Sequence, residues 1–295
     1  MDENTRLAER FEEHRTRLRA VAYRMLGSLS EADDAVQEAW LRVSRADVGD
    51  VENLAGWLTT VLARVCLNML RSRESRREDP LDVHVPDPII SHPDRGNPEH
   101  EAVLADSVGL ALLVVLDTLT PAERLAFVLH DMFAVPFEEI APMVARSSAA
   151  ARKLASRARR RVREAAPAAD PDRTNQRVVV DAFFAAARDG DFDALVAVLD
   201  PDVVLRVDGG RARARQTAVL RGAQAVAGQA FTGSRFNPLL RPALINGNAG
   251  VVVSVDGRVL SVMAFTVAHG KVVAIDVLYD PDRLADLDLT DLDAR

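Results

Sequence analysis

The densest concentration of chemically active side chains lies in residues 146–163, which hold eight arginines and lysines and no acid. Both side chains bind phosphate oxygens, and arginine can also donate two parallel hydrogen bonds to the edge of a guanine. A solvated basic helix face is the alternative interpretation, but such faces normally mix acids with bases. We therefore predict that this stretch contacts a nucleic acid.

The basic stretch follows a short helix and a tight turn, which is the order of a helix-turn-helix. We predict helices at residues 137–144 and 147–163, with Pro142 as a local misfit that a kink would accommodate. The second helix has a packing stripe of small and apolar residues: Ala151, Leu154, Ala155, Ala158 and Val162. Its opposite stripe consists of Arg152, Ser156, Arg159, Arg160 and Arg163. The helix would be roughly 25 Å long, so its last arginines would contact phosphate or solvent rather than bases.

Other helical segments must position this basic helix. Thr120, Pro121 and Glu123 form a helix start signal, with a capping threonine, a proline at the first helical position and a glutamate that closes the capping box. We predict that helices resume at Glu99 after a linker, so that residues 99–165 form one helical module.

Residues 1–77 are predicted to form a separate helical module with two polar faces of its own. Its first helix ends at Gly27, Ser30 caps a second helix with Asp33 in the capping-box position, and a third helix covers residues 53–73. Polar residues on the second helix are Asp34, Gln37 and Glu38, with Leu41 one turn further on; from spacing alone, a solvated face explains them. Polar residues on the third helix are Arg64, Asn68, Arg71 and Arg73, which could follow a phosphate backbone.

The rest of the chain consists of linkers and a mixed domain. Residues 78–98 contain five prolines, so we predict an extended linker there. From residue 174, two helices precede β-like runs at residues 203–207, 249–255, 259–267 and 272–278. Asp256-Gly257 and His269-Gly270 supply hairpin turns between the last three runs. We predict an α+β domain over residues 174–284, followed by an acidic tail over residues 285–295.

The composition limits what the protein can be. Its 295 residues allow two or three domains, and the net charge of −7 would repel DNA, so one basic helix suits binding that depends on a partner. No run approaches the roughly 20 apolar residues of a membrane span, and no signal peptide is apparent, so we expect a cytoplasmic protein without membrane contact. The single cysteine, Cys66, and the spacing of the six histidines predict neither a disulfide nor a metal site, and we expect no cofactor.

Three motifs in these helices resemble those of extracytoplasmic-function sigma factors of the sigma-70 superfamily. Residues 33–41 (DDAVQEAWL) resemble the helix by which such factors bind core RNA polymerase. Residues 55–73, which begin with AGWL, look like their −10 region. Residues 119–124 (LTPAER), 137–141 (FEEIA) and 155–160 (ASRARR) look like their −35 module. The motifs occur in the family's order over nearly the whole span to Arg163, which makes them highly specific together.

The resemblance implies a role for each polar face and no chemistry by the chain itself. The implied contacts with core RNA polymerase are Asp34, Gln37, Glu38 and Leu41. The implied contacts with −10 promoter DNA are Asn68, Arg71 and Arg73. The implied contacts with −35 promoter DNA are Ser148, Arg152, Lys153, Ser156, Arg157 and Arg160. The protein would direct polymerase to promoters and initiate transcription with it.

The C-terminal part resembles the subgroup of these factors that carries a SnoaL-like extension in place of a separate anti-sigma protein. Residues 208–211 (DGGR) are similar to its glycine-rich motif with one glycine fewer, and residues 280–284 (DPDRL) to its tail motif. Residues 84–89 (HVPDPI) keep the prolines and acid of its linker motif but lack the leading tryptophan. The implied regulatory contacts within the chain are Asp208, Gly209, Gly210, Arg211, Asp280, Pro281, Asp282 and Arg283. The fold class is then two all-α sigma modules, the second a helix-turn-helix, followed by an α+β SnoaL/NTF2-like cone domain.

Two other classes of protein remain open from the residues. One is a ligand-responsive helix-turn-helix regulator, which would need no polymerase and no second nucleic-acid module. The other is a SnoaL-fold enzyme with a DNA-binding extension, whose available acid–base groups would be Asp208, Asp256, His269 and Tyr279. These four groups show no telling spacing. The acidic tail could, in addition, compete with DNA for the basic helix.

Overall fold

A computed structural model describes residues 3–46, 53–76, 83–93, 109–165, 169–234 and 238–293. The chain forms two compact units. The first comprises Met1–Pro80, Glu101–Asp106 and Val115–Ala165, and the second comprises Leu81–His100, Ser107–Val114 and Ala166–Arg295. Among the described residues, no helix is both long and apolar enough to cross a bilayer.

The described part of the first unit is helical. Its helices are α1 (Glu3–Leu26), α2 (Leu29–Val43), α3 (Leu54–Arg76), α4 (Leu110–Asp117), of which residues 115–117 belong to this unit, α5 (Pro121–Phe127), α6 (Phe137–Met143) and α7 (Ser148–Ala165). A π-helical turn, Val128–Met132, follows α5. α1, α2 and α3 pack against one another and bury Leu18, Val21 and Met25 almost completely. The predicted helical start at Glu99 lies outside the described residues.

Local signals explain most helix ends in this unit. Gly27 ends α1 in the left-handed conformation, with φ of +73°, where glycine has no steric cost. Thr120 and Glu123 form the predicted capping box at the start of α5. The predicted cap of α2 at Ser30 is wrong, because α2 begins earlier. Ser28, in an extended conformation, accepts the N–H of Glu31, and Ser30 lies within the helix.

The predicted helix-turn-helix is formed by α6 and α7. Its turn places Ala145 at φ of +52°, a left-handed conformation that is strained for a residue with a side chain. Ala151, Ala155 and Ala158 are completely buried on the packing side of α7, while Leu154 and Val162 are half-buried. Small residues therefore let α7 approach α5 and α6 closely.

The second unit is a seven-stranded sheet against which three of its helices pack. Its helices are α8 (Arg173–Asp189), α9 (Phe192–Val198), α10 (Ala223–Ser234), α11 (Pro281–Ala285) and α12 (Thr290–Asp293), with a 3-10 turn at Ala214–Gln216. Its strands are β1 (Ile90–Ser91), β2 (Leu199–Asp208), β3 (Ala218–Arg221), β4 (Leu239–Ile245), β5 (Asn248–Val255), β6 (Arg258–Ala268) and β7 (Lys271–Leu278). The order in the described sheet is β1-β4-β5-β6-β7-β2-β3, and every pair is antiparallel except β2 with β7.

Alternate residues of the central strands form an apolar core with α8, α9 and α10. The rings of Phe183, Phe184 and Phe265 fill its centre, with centroids 5.2 to 5.6 Å apart. The two predicted hairpin turns are present, with Asp256, Gly257, His269 and Gly270 all at positive φ. The predicted α+β domain is confirmed.

The sequence analysis missed several elements of this unit: β1, β3, β4 and α10. β4 contains Pro242, which argues against a strand in a sequence pattern. In the fold, Pro242 faces Val251 and the rest of β4 pairs along its length with β5. The described part of the predicted linker is extended, as expected, but Ile90 and Ser91 add β1 to the sheet edge beside β4.

Candidate functional site

The polar face of α2 is exposed as the sequence predicts. Asp34 and Gln37 are exposed, and Leu41, one turn later, is 41% exposed, which is unusual for a large apolar residue beside a packed helix. Glu38 is ion-paired with Arg42 at 2.8 Å on the same surface. An exposed leucine surrounded by polar side chains has the composition of a protein interface, in which an apolar centre is enclosed by a polar rim.

The neighbouring acid on α2 is committed inside the module. Asp33 is ion-paired with Arg19 of α1 at 2.7 Å, whereas Asp34 is exposed and forms no hydrogen bond or ion pair with the described residues. The adjacent carboxylates therefore differ in their contacts: Asp33 binds within the module, and Asp34 is exposed. We call Asp34, Gln37, Glu38 and Leu41 the α2 stripe.

The polar face of α3 contains Arg64, Asn68 and Arg71, which are exposed at spacings of four and three residues and so lie on one side of the helix. The sequence places Arg73 in the same group, but in the structure its side chain is bonded to other helices of the module. Its Nη1 donates to the carbonyl of Leu26 at 3.1 Å, and its guanidinium forms an ion pair with Glu31. Arg73 therefore ties α3 to α1 and α2.

Cys66 lies on the buried side of α3 and is completely inaccessible. Burial raises the pKa of its thiol to about 12, so the thiolate is not formed at neutral pH. Cys66 is a core residue, as its sequence context predicts. Among the described residues, no group of three or more His, Cys, Asp or Glu side chains could hold a metal ion.

The basic face of α7 is continuous and open. Six side chains along it are exposed: Arg152, Lys153, Ser156, Arg157, Arg160 and Arg163. Ser148, at the first position of the helix, is half-buried. Ser156, Arg157, Arg160 and Arg163 also line a shallow groove on this face with Glu164. This surface has the charge and length to lie along a DNA groove.

Two arginines of α7 serve the module rather than this face. Arg159 donates through Nε to Asp131 at 2.5 Å, and Arg161 donates to Glu123 at 3.0 Å. Glu123 is only 5% exposed and already closes the capping box of α5. These ion pairs fix α7 against the first half of the module. Arg159, assigned to the open stripe from its spacing, is thus half-buried and partnered.

Arg152 is held by a ring. Its guanidinium lies over Phe137 of α6, with the central carbon 5.4 Å from the ring centroid. The imidazole of His130 also stacks on Phe137, with the two ring centroids 3.8 Å apart. A cation over an aromatic face is attracted by the ring quadrupole. Arg152 is therefore restrained near the beginning of α7 while its hydrogen-bond donors stay exposed.

In the second unit, the sequence motifs at residues 84–89, 208–211 and 280–284 meet at one place. Asp208, at the end of β2, accepts the N–H of Val85 through Oδ2 at 2.9 Å and the N–H of Gly210 through Oδ1 at 3.0 Å. The imidazole Nδ1 of His84 lies 3.6 Å from the same Oδ2. Burial by itself would raise the pKa of Asp208, but the hydrogen bonds from His84, Val85 and Gly210 and the charge of Arg283 hold this pKa below its ordinary value. Asp208 is thus a carboxylate.

Arg283 of α11 completes this cluster. Its guanidinium donates to Asp208 at 2.9 Å, to the carbonyl of Val85 at 2.6 Å and to Asp87 through Nε at 2.8 Å. One side chain thereby joins the segment before β1 to the end of β2. We call Val85, Asp87, Asp208 and Arg283 the linker seat.

Two glycines make the linker seat possible. Gly210 has φ of +58°, and a side chain there would overlap the carboxylate of Asp280, which caps α11 by accepting the N–H of Asp282. A side chain at Gly209 would overlap the carbonyl of Arg213. Pro281 occupies the first turn of α11, where its missing N–H costs nothing.

Arg211 stands apart from the other residues of its motif. It is exposed, and within the described ranges it forms no hydrogen bond or ion pair. Arg213 instead contacts Tyr279, which lies between β7 and α11. Its guanidinium lies 4.1 Å from the ring centroid of Tyr279 and donates to the Tyr279 carbonyl at 2.9 Å. The sequence analysis missed Arg213, and no spacing signal distinguishes it from Arg211.

The four groups considered for catalysis are dispersed. Asp208 is occupied in the linker seat, Asp256 and His269 are exposed in separate hairpin turns, and Tyr279 packs at the edge of the apolar core. The centre of that core is aromatic. The geometry brings together no acid, base and cavity from this set.

Comparisons with known proteins agree with this arrangement of modules. Residues 10–76 match the Sigma-70 region 2 family, and residues 109–162 match the Sigma-70, region 4 family. The ECF RNA polymerase sigma factor SigI of Mycobacterium tuberculosis is 38% identical over 276 residues, which cover 92% of this chain and 92% of SigI. SigJ of the same organism is 40% identical over 289 residues, which cover 92% of this chain and 91% of SigJ.

A crystal structure extends the similarity to the C-terminal domain. The crystal structure of SigJ matches with a TM-score of 0.75 at 36% identity, covering 94% of this chain and 98% of that chain. An NTF2-like protein from Burkholderia xenovorans is similar to 39% of this chain and 97% of its own, at 25% identity and a TM-score of 0.28. The SigJ match includes both helical modules and the sheet, and the predicted fold class is confirmed.

Proposed function

The chain belongs to the extracytoplasmic-function RNA polymerase sigma factors, and from this premise we propose how its surfaces divide the work of promoter recognition. As a sigma factor it directs promoter recognition and transcription initiation. The α2 stripe binds core RNA polymerase. Asn68 and Arg71 meet the −10 element, and the exposed face of α7 meets the −35 element.

The observation that carries this proposal is the sorting of charged residues on each helix. Four charged residues form ion pairs inside their own module: Asp33, Arg73, Arg159 and Arg161. The residues beside them in sequence remain exposed on continuous faces. Charges that a module leaves exposed on one face are available to a partner. Each of these faces lies on the helix whose motif resembles the corresponding sigma region.

The two DNA surfaces differ in what they can read. At the −10 element the strands separate, so amide and guanidinium groups on α3 can reach unstacked bases. At the −35 element the DNA stays duplex, and the start of α7 can enter the major groove while its later arginines hold phosphates. Arg152 and Lys153 therefore read bases, and Arg157 and Arg160 position the helix.

The C-terminal domain acts as a regulator in cis through the linker seat, and the chain performs no chemistry of its own. Arg283 joins the proline-rich segment to the domain with charged hydrogen bonds, which are each worth about 1.5–3 kcal/mol. Ile89 and Asn246 add a reciprocal pair of hydrogen bonds at β1. The extended segment is thereby given a fixed path along the domain.

The test of the proposed function is polymerase dependence. We expect the full chain to copurify with core RNA polymerase, and we expect specific promoter binding only when core polymerase is present. The net charge of −7 opposes DNA, and each phosphate neutralised by the basic face changes the logarithmic salt slope by only about −0.9. Gel-shift titrations at physiological salt, with a scrambled promoter as control, measure this directly. Tight sequence-specific binding by the free protein would favour a ligand-responsive regulator.

The two roles on α7 can be separated by substitution. Arg152→Ala is expected to change which −35 sequences are used, by about 1–3 kcal/mol of discrimination, because a bidentate contact to guanine is lost. Arg160→Ala is expected to weaken all promoters alike, because a phosphate contact carries no sequence information. Transcription from a −35 library measures both, and Arg188→Ala, an exposed arginine of α8, is the matched control. An equal loss over all sequences for Arg152→Ala would assign Arg152 to phosphate.

A further inference from the structure

Three side chains of the helix-turn-helix module form a stack that ends at its surface. The guanidinium carbon of Arg152 lies 5.4 Å from the centroid of the Phe137 ring. The imidazole of His130 stacks on the same ring, with centroids 3.8 Å apart and ring planes 27° apart. Arg152 is exposed, whereas Phe137 is only 7% exposed. We call His130, Phe137 and Arg152 the ring stack.

The backbone around the π-helical turn fixes the inner end of the ring stack. His130 belongs to this turn, a kind of element that often occurs at functional positions in helices. Its Nδ1 lies 3.0 Å from the carbonyl of Val135, and because a carbonyl can only accept, Nδ1 carries the proton and donates it. Val135 is held in turn, since its N–H donates to the carbonyl of Leu129 at 2.9 Å. The imidazole is thereby restrained where it contacts Phe137.

Arg152 differs from the other exposed cations on this face of α7. In the part of the chain that the structure describes, no aromatic ring lies against Lys153, Arg157 or Arg160. Arg152 also lies nearer the start of α7, which begins at Ser148. The N-terminal part of the second helix is the part that contacts base edges in helix-turn-helix proteins. The ring stack therefore restrains an arginine at a position from which a base can be read.

Restraint of this kind favours base recognition. An arginine reads guanine with two parallel hydrogen bonds, which fix the plane of the guanidinium. A long side chain that is free in solution loses rotamer freedom when it is fixed in this way, and the loss weakens binding. A guanidinium already held over a ring has lost part of that freedom before DNA arrives. A phosphate contact carries no sequence information and gains no discrimination from such restraint.

We propose that Phe137 is a positioning residue for promoter readout: supported by His130, its ring holds Arg152 in the orientation in which the guanidinium recognises one guanine of the −35 element. The inference rests on the proposed function, because it takes α7 as the helix that reads this element. Phe137 acts through Arg152 and makes no contact with DNA itself. Its effect is confined to the base pair that Arg152 reads.

The test measures transcription by the full chain with core polymerase from promoters in which each −35 position is varied in turn. The position that Arg152 reads is the one whose base preference is lost in Arg152→Ala. Phe137→Leu keeps an apolar side chain and removes the ring. We expect it to lower the preference for guanine at that position about two- to fivefold, the contribution of an exposed cation–π contact, and to leave the other positions unchanged. Phe137→Tyr keeps the ring and is expected to keep the preference.

Two comparisons separate positioning from packing. In the Arg152→Ala background, Phe137→Leu is expected to cause no further change of preference, because the ring then has no guanidinium to hold. Phe127→Leu is the matched control, since Phe127 is also 7% exposed in the same module and no cation lies over its ring among the described residues. This control is expected to leave every −35 preference unchanged, even where it lowers stability.

A second variant covers a failure to fold. If Phe137→Leu is unfolded, as judged by circular dichroism, His130→Ala takes its place, because it removes the ring that supports Phe137 at a half-buried position. It is expected to lower the same guanine preference. An unchanged preference in folded His130→Ala would then overturn the proposal.

The remaining outcomes are distinct. Folded Phe137→Leu overturns the proposal if it weakens all promoters alike, or if it still changes the preference in the Arg152→Ala background. Folded Phe137→Tyr overturns it by losing as much preference as Phe137→Leu. If Arg152→Ala itself leaves every −35 preference unchanged, the assignment of α7 to the −35 element is wrong, and the ring stack has no role in readout. A failure of Phe137 alone leaves the effect of Arg152→Ala intact.

Discussion

Replacing Asp34, Gln37 and Glu38 together with alanine is expected to abolish binding to core RNA polymerase. The three side chains lie off the buried face of α2, which is formed by Ala32, Ala35, Val36, Ala39 and Val43. Their loss removes two carboxylates and an amide from the surface on which Leu41 is exposed. Interface energy is concentrated in a few residues at the centre of such a surface, so losing three of them removes most of the affinity.

The fold should survive this substitution. Alanine is a better helix former than any of the three residues, and only the exposed ion pair of Glu38 with Arg42 is broken. We expect the free energy of unfolding to change by less than about 0.5 kcal/mol. Pull-down with core polymerase and thermal unfolding measure the two properties separately.

A matched control is available on α1. Glu9, Glu13 and Thr16 are exposed, and replacing them with alanine also removes two acids and one neutral polar side chain. This control is expected to bind polymerase like the unsubstituted protein. Undiminished pull-down of polymerase by the α2 variant would refute the assignment of the α2 stripe.

Removing the C-terminal domain is expected to have the second large effect. A chain that ends at Ala166 lacks β2, α11 and Arg283, so the segment that contains Val85 and Asp87 loses its seat. The ordering of that segment then has to be supplied by the polymerase complex, at an entropy cost for each residue. We expect promoter-dependent transcription to fall by about tenfold or more, since several charged hydrogen bonds are lost together.

A point substitution tests the same idea without deleting a domain. Arg283→Gln removes the charge that joins Asp87 to Asp208 and leaves the sheet intact. It is expected to lower transcription in the same direction as the truncation. Arg258→Gln, at the exposed first residue of β6, is the matched control. Full activity of both the truncated chain and Arg283→Gln would refute the regulatory role of the domain.

The acidic tail has to be removed without removing α11. A chain that ends at Leu278 would lose Arg283 with the tail, so its activity would combine two effects. Ending the chain at Asp286 keeps α11 and its C-cap and removes α12, which packs against β1. If the tail inhibits, this chain is expected to transcribe more than the full chain in a purified system. No gain would leave the tail without an inhibitory role.

The sequence determined the elements whose signals are local. The capping box at Thr120, the glycine ends at Gly27 and Gly190, and the hairpin turns at residues 256–257 and 269–270 depend on residues within one turn of each other. The three polar faces could also be predicted, because helical spacing alone places their residues on one side. One further signal was present and missed. Asn246-Gly247, both at positive φ, is the hairpin turn that joins β4 to β5.

Only the tertiary structure decided which charged residues remain available. Arg71 and Arg73 are near neighbours with the same chemistry, and so are Arg159 and Arg160. Glu31 pairs with Arg73, and Asp131 pairs with Arg159. The linker seat joins residues that are 75 to 198 positions apart, and Arg124 meets Arg24 across 100 positions. No periodicity in the sequence encodes these pairings. A buried charge is stabilised by whichever partner the packed fold brings within hydrogen-bond distance. That distance is set by packing rather than by spacing along the chain.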